Sequence, residues 1–94
     1  MARYNHASIT LESVVYVVAG FGGKKRLDTI EMLSMAPQAR SDPDYKWQLF
    51  KPAGLTPRKL PAVCPISHTK FVIMGGSGDE DLLSDAIIVD TKTR

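Results

Sequence analysis

The chain has 94 residues and a net charge of +2 at pH 7, with 44% hydrophobic and 23% charged residues. This composition is that of one small globular domain, and the longest apolar run is far too short to span a membrane. The weak positive charge and the single short basic run, Lys24-Lys25-Arg26, exclude the extended basic surface that is typical of nucleic-acid binding.

Four apolar segments in the first half of the sequence predict β-strands, over residues 6–11, 14–19, 28–33 and 46–50. The second segment is continuously apolar and rich in valine, which is typical of a strand that is covered on both faces. It ends at Gly20-Phe21-Gly22-Gly23, where glycine allows the backbone to turn at positive φ. Residues 34–44 are polar and contain two prolines, so we expect a mobile loop there.

Three further strands are predicted in the second half, over residues 62–66, 70–74 and 86–90. Pro61 and Pro65 limit the hydrogen bonds that the first of them can donate. The strand over residues 70–74 ends at a glycine doublet, Gly75-Gly76, and an acidic loop up to residue 81 follows. No segment combines a helical period with a helix cap, so the sequence predicts no helix.

The two halves of the chain repeat one pattern. Residues that correspond at a spacing of 55 are Arg3 and Arg58, Ala7 and Ala62, Tyr16 and Phe71, Val17 and Val72, and Gly20 and Gly75. Residues that correspond at a spacing of 57 are Asp28 and Asp85, Ile30 and Ile87, and Met32 and Val89. The change of spacing predicts a loop two residues longer after the second glycine doublet. A repeat of this length indicates one supersecondary unit used twice.

The repeated pattern resembles the kelch repeat, in which an arginine, an apolar strand, a glycine doublet, an acidic residue, a second apolar strand and a tryptophan follow one another. The first copy carries the pattern on Arg3, residues 14–20, Asp28, Ile30 and Trp47, and the second on Arg58, residues 71–76, Asp85, Ile87 and Asp90. The chain departs from the family in three places: Phe21 splits the first doublet, Met32 and Val89 replace the usual tyrosine, and the loop over residues 34–45 is long.

The resemblance implies an all-β fold made of antiparallel four-stranded blades of a kelch-type β-propeller. One blade would be complete, over residues 1–55, and the other, over residues 56–94, would stop before its last strand. Because two blades leave open edges and bare faces, the chain would be a segment of a larger propeller or would assemble with other blades, including copies of itself.

Several residues receive a structural role in this interpretation: Gly20, Gly22, Gly23, Trp47, Gly75 and Gly76. The glycines would let the backbone turn at close quarters, and Trp47 would fill the space between blades. Arg3 and Arg58 would begin the first strand of each blade, and they would either pair with an acidic residue of a neighbouring blade or point at a ligand.

Other kinds of site fit the sequence poorly. The glycine-rich stretch before Lys24 lacks both the lysine–serine or lysine–threonine pair and the following helix of a phosphate loop. His6, Cys64 and His68 are too dispersed for a metal site, and no acidic residue is placed to form a triad with His68. We therefore expect no cofactor, no metal and no catalytic residue.

The loops after the glycine doublets are the candidate binding surface. In an antiparallel blade the second-to-third and fourth-to-first connections emerge on the same side, and here they carry the candidate binding residues Lys24, Lys25, Arg26, Arg58, Asp79, Glu80 and Asp81. A surface with both signs of charge suits a protein or peptide partner.

The resemblance to kelch proteins implies a protein–protein interaction module of the scaffold or adaptor type rather than an enzyme. Two alternatives stay open at this point, a segment of a propeller-class enzyme and a truncated structural piece without activity of its own. The single cysteine cannot build a disulfide framework, and residues 1–6 lack the apolar core of a signal peptide. We therefore expect a cytoplasmic protein that does not bind membranes.

Overall fold

The computed structural model of the chain describes residues 2–93, so Met1 and Arg94, the outer limits of the two predicted repeats, lie outside the described residues. The elements are β1 (Ala7–Leu11), β2 (Val14–Val18), β3 (Ile30–Ser34), α1 (Pro37–Arg40), β4 (Gln48–Phe50), β5 (Ala62–Pro65), β6 (Lys70–Ser77) and β7 (Leu82–Asp90). Strands β1 to β4 form the first sheet and strands β5 to β7 the second, each antiparallel and in chain order. The predicted all-β class with blade-like antiparallel sheets is confirmed.

Strands β6 and β7 are longer than predicted and reach into the expected glycine loop. Gly76 pairs with Leu83 and Ser77 with Leu82, after an irregularity in the ladder between Met74 and Gly76. Such a bulge lets the strand bend and continue beyond the glycine doublet. The loop between β6 and β7 is therefore only residues 78–81.

The long connection between β3 and β4 contains a helical turn that the sequence analysis did not predict. Pro37 stands at the start of α1, where a missing N–H and a fixed φ are tolerated, and the Ser41 N–H donates to the Pro37 carbonyl. The Tyr45 hydroxyl donates to the Ser34 carbonyl at 2.6 Å and closes the connection at its base. The prediction failed because α1 is only four residues long and has no buried side that would show as a helical period.

The two sheets pack face to face around one hydrophobic core. The first sheet contributes Leu11, Tyr16, Val18 and Ile30, and the second contributes Phe71, Ile73 and Val89, all at most 8% exposed. The rings of Tyr16 and Phe71 lie 5.4 Å apart between the sheets. Val15 and Val17 point to the other side of β2 and are half-buried, so within the described residues β2 is fully covered on one face only, not on both as predicted.

The sheets are two copies of one unit, but the correspondence between them differs by one residue from the predicted one. Ala19 and Gly20 have φ of +55° and +101°, and Gly75 and Gly76 have φ of +60° and +102°. The first doublet of the repeat is therefore Ala19-Gly20, and Gly20 corresponds to Gly76, at a spacing of 76 − 20 = 56. The spacing stays 56 through β3 and β7, since Val18 pairs with Ile30 and Met74 pairs with Ala86.

The spacing of 55 holds only up to the first strand of each sheet. Asn5 and Leu60, which are 55 residues apart, share a φ near +57°. Ala7 pairs with Val18 in the first sheet, and Ala62 pairs with the corresponding Met74 in the second. The extra residue lies in the β5–β6 turn, and the glycine loops are equally long, contrary to the prediction. Because neighbouring residues of a strand point to opposite faces, the shift by one residue exchanges the faces. Tyr16 corresponds to Val72, not to Phe71.

Candidate functional site

The connections from β2 to β3, from β4 to β5 and from β6 to β7 lie together at one end of the sheets, which we call the loop end. Leu27 pairs with Arg58 and Lys59 pairs with Ser77, so that the second connection runs between the other two. Lys59 Nζ also lies 5.9 Å from the centre of the Phe21 ring. The three predicted loops therefore share one surface.

Two equivalent tight turns form the tips of the loop end. The Gly22 N–H donates to the Lys25 carbonyl and the Gly78 N–H donates to the Asp81 carbonyl, both at 2.9 Å. We call residues 22–25 the basic turn and residues 78–81 the acidic turn, because all the charged side chains of each have one sign. These side chains are exposed: Lys24, Lys25, Asp79, Glu80 and Asp81. The repeat thus presents opposite charges at corresponding positions of adjacent sheets.

Arg26 connects the two turns. Its Nε donates to the Ser77 carbonyl at 3.0 Å, its Nη2 donates to Ser77 Oγ at 3.3 Å, and its Nη1 lies 3.8 Å from Asp79 Oδ1. The Arg26 side chain is 22% exposed and that of Asp79 is 67% exposed, so the carboxylate remains largely available to a partner. An ion pair this exposed contributes at most about 1 kcal/mol to folding.

Arg58 does not belong to the exposed surface, and this corrects its inclusion among the candidate binding residues. Its side chain is fully buried. All five of its N–H groups are used, in a bidentate pair with Asp85 at 2.7 and 2.8 Å and in bonds to the Gly75 carbonyl and to the carbonyl and hydroxyl of Thr56. Arg58 is therefore a structural clamp below the loop end and cannot contact a ligand.

Arg3 occupies the corresponding place in the first sheet. Its Nη2 donates to Glu31 Oε1 at 2.7 Å, and its Nη1 donates to the carbonyls of Ala19 and Thr29. Both arginines thus pair with an acidic residue of their own sheet, not of a neighbouring one. Sequence analysis missed Glu31, because a carboxylate in an alternating strand normally faces solvent, whereas this residue is only 7% exposed.

Trp47 does not lie between the two sheets, and its role in filling the space between blades stays a prediction. It lies just before β4 and is 44% exposed. It borders a shallow groove on the outer side of the first sheet together with Arg3, His6, Val17 and Glu31. The aromatic contact between the sheets is made by Tyr16 and Phe71 instead.

The ion pair of Asp85 predicts a pH dependence of folding. The hydrogen bond from Arg58 lowers the pKa of Asp85 below its ordinary value, against a smaller opposing effect of burial. A carboxylate with a lowered folded-state pKa stabilises the fold above its unfolded pKa, and this stabilisation is lost as the pH falls through the folded pKa. We expect Asp85→Asn to flatten the pH dependence of the free energy of unfolding below about pH 5, as measured by urea unfolding at several pH values. If the free energy of unfolding of Asp85→Asn fell at acidic pH as steeply as that of the unmodified chain, this assignment would be contradicted.

Within residues 2–93, no group of three or more His, Cys, Asp or Glu side chains is arranged to hold a metal ion. None of the helices in this part of the chain is long and apolar enough to cross a membrane. Cys64 is a free, exposed thiol on β5.

Comparison with protein-family models matches residues 2–36 to the Kelch motif. This segment contains the Arg3 clamp, β1, β2, the basic turn and β3, which are the parts of the first sheet that recur in the second. No curated protein sequence matches the chain. Residues 2–36 of the chain are therefore similar to one kelch repeat.

Proposed function

We propose that this chain is a protein-interaction module that binds a partner protein or peptide of mixed charge at its loop end. The observation that carries the proposal is the pair of equivalent turns, one basic and one acidic, on adjacent sheets. Kelch motifs commonly serve in protein interaction, which supports the same assignment. The proposal assigns the chain no catalytic step.

The arrangement of charge favours a partner that crosses from one sheet to the other. Lys24 and Lys25 would attract acidic side chains, and Asp79, Glu80 and Asp81 would attract basic ones. A partner in the reverse orientation would place like charges together, which costs binding free energy and so fixes the direction of binding.

The loop end has the rigid support that a binding surface needs. Lys59 and Ser77 exchange two backbone hydrogen bonds, at 3.0 and 2.8 Å, directly below the acidic turn. On the first sheet, Tyr4 and Phe21 exchange a corresponding pair at 3.0 and 2.7 Å. Because the bases of both turns are held in this way, little loop entropy has to be lost when a partner binds.

A random peptide library displayed on phage tests the proposal. We expect selection on the full chain to enrich peptides that carry an acidic cluster and a basic cluster. The double substitution Lys24→Ala with Lys25→Ala should weaken binding of a selected synthetic peptide by about tenfold, since each exposed ion pair contributes roughly 0.2–1 kcal/mol. The loss should shrink as salt is added, because salt screens exposed charges.

Arg40→Ala is the matched control, since Arg40 is an exposed cation on α1 at the opposite end of the sheets. Its peptide affinity should equal that of the unmodified chain. Equal losses for the control and the double variant would indicate a non-specific charge effect and would refute the proposed site. Enrichment of peptides without charged clusters would refute it as well.

A further inference from the structure

Each sheet of this chain has one face that the other sheet covers and one face that it leaves open. We call the covered face of the first sheet, which carries Tyr16, Val18, Ile30 and Met32, its front face. Corresponding residues of the second sheet define the front face of that sheet. At the spacing of 56, the front face of the second sheet carries Val72, Met74, Ala86 and Ile88, and it points away from the first sheet. The back faces are the opposite sides. Inside the chain, the front face of the first sheet therefore contacts the back face of the second sheet.

The open front face of the second sheet is apolar in its centre. Ile88 is 64% exposed and Met74 is 39% exposed, whereas the corresponding Met32 is half-buried and Val18 is fully buried. Cys64, which corresponds to Ile9, is also exposed on this face. Lys70 and Asp90 pair across the strands at one end of the face and give it a polar rim. A contiguous apolar sheet face of this kind indicates an interaction surface.

The open back face of the first sheet has the matching character. Val15, Val17 and Leu33 correspond to Phe71, Ile73 and Val89, which are buried in the internal contact. Glu31, the acidic residue of this face, is neutralised by its bond to Arg3 at 2.7 Å. The chain therefore exposes one front face and one back face of the types that it already joins internally.

From this correspondence we infer that the chain binds further copies of itself head to tail, with the front face of the second sheet on the back face of the first sheet of the next copy. The charges support the same partner. The front-on-back contact inside the chain brings Arg26 to 3.8 Å from Asp79, between the basic and the acidic turn. Head-to-tail contact sets the acidic turn of one copy beside the basic turn of the next, so opposite charges alternate along the assembly.

A head-to-tail interface uses two different surfaces, so it repeats until a ring closes or an open array forms. This separates it from a symmetric dimer, in which one surface pairs with itself. The inference does not depend on the proposed peptide binding, because the sheet faces form the interface and the charged turns only add to it.

Light scattering of the purified chain at increasing concentration tests the inference, together with two face variants. The unmodified chain, of 10.3 kDa, should form assemblies larger than a dimer. Ile88→Lys places a charge on the open front face, and Val17→Lys places one on the open back face. Each variant alone should stay monomeric. Every contact needs one free front face and one free back face, and all copies of a variant lack the same one of these. An equimolar mixture should form a 1:1 dimer, because each variant supplies the face that the other lacks.

Circular dichroism of both variants checks that they are folded. If Val17→Lys is unfolded, Thr10→Lys replaces it, because Thr10 is an exposed residue of β1 on the same back face. A monomeric unmodified chain at all concentrations would overturn the inference. Loss of association in Ile88→Lys alone, with normal association of both back-face variants, would show a symmetric contact and would overturn it too.

Discussion

Replacing Arg58 by alanine is expected to lower the free energy of unfolding by about 3 kcal/mol. The guanidinium is fully buried and donates to Asp85, Gly75 and Thr56. Asp85 is partly exposed and can be hydrated when its partner is lost. The carbonyls of Thr56 and Gly75 would lose their bonds to Arg58, and the space of the removed side chain would remain, so most of the loss comes from these two effects.

The position of Arg58 in the chain increases the effect. Its backbone N–H donates to the Leu27 carbonyl and its own carbonyl accepts from the Gly20 N–H, at 3.0 and 2.9 Å. The residue therefore joins the first sheet through its backbone and the second through its side chain. A domain of this size is commonly stable by only about 5–15 kcal/mol, so Arg58→Ala would leave a substantial unfolded fraction under mild denaturing conditions.

Urea unfolding followed by circular dichroism at neutral pH measures this prediction. Arg40→Ala, which removes an exposed arginine from α1, should change the free energy of unfolding by less than about 0.5 kcal/mol. Arg58→Lys should lie between the two, because lysine keeps the charge but cannot supply the planar fork of donors. An effect of Arg58→Ala as small as that of the control would show that the clamp contributes little to folding.

The positions of the strands could be predicted from the sequence because their signals are local. The valine run of β2 and the alternating pattern of β3 lie within a residue or two of the observed strands. The glycines mark the bends where φ is positive. Each of these features depends on residues a few places apart, so no knowledge of the packing was needed.

The pairing of faces could not be predicted in the same way. Tyr16 and Phe71 are both aromatic residues shortly before a glycine, and the sequence pattern aligns them for this reason. They nevertheless lie on opposite faces of their units and contact each other. The cause is one extra residue in the β5–β6 turn. The φ values at Ala19 and Gly20, beside those at Gly75 and Gly76, and the pairing of the strands reveal the true correspondence.

The location of the candidate site could be predicted from the sequence, but the roles of its individual residues could not. The order of antiparallel strands fixes which loops share an end, so Lys24, Lys25 and the acidic turn could be grouped from the sequence. The burial of Arg58 and Glu31 could not be inferred, because charged side chains are usually exposed unless they are paired. Their partners are more than 25 residues away in the chain, and such pairs appear only when the sheets have formed.

The glycines with positive φ should differ sharply in their tolerance of a side chain. A Cβ at Gly76 would lie 2.7 Å from the Lys59 carbonyl oxygen and 3.2 Å from the backbone of Pro61. The φ of +102° adds strain for any residue with a side chain. Because the Lys59 carbonyl accepts the Ser77 N–H at 2.8 Å, it cannot move away without breaking a bond between the strands. We expect Gly76→Ala to lower the free energy of unfolding by about 3 kcal/mol or more.

Gly54→Ala is the matched control for this prediction. Gly54 also has a positive φ, of +84°, but no atom lies within 4 Å of the position of its Cβ. Its substitution should carry only the backbone strain, about 1 kcal/mol. Urea unfolding of both variants separates the two contributions, since the difference between them measures the close approach of Gly76 to Lys59. Equal effects would mean that positive φ alone explains the glycine doublet and that the close approach of the two backbones is not essential.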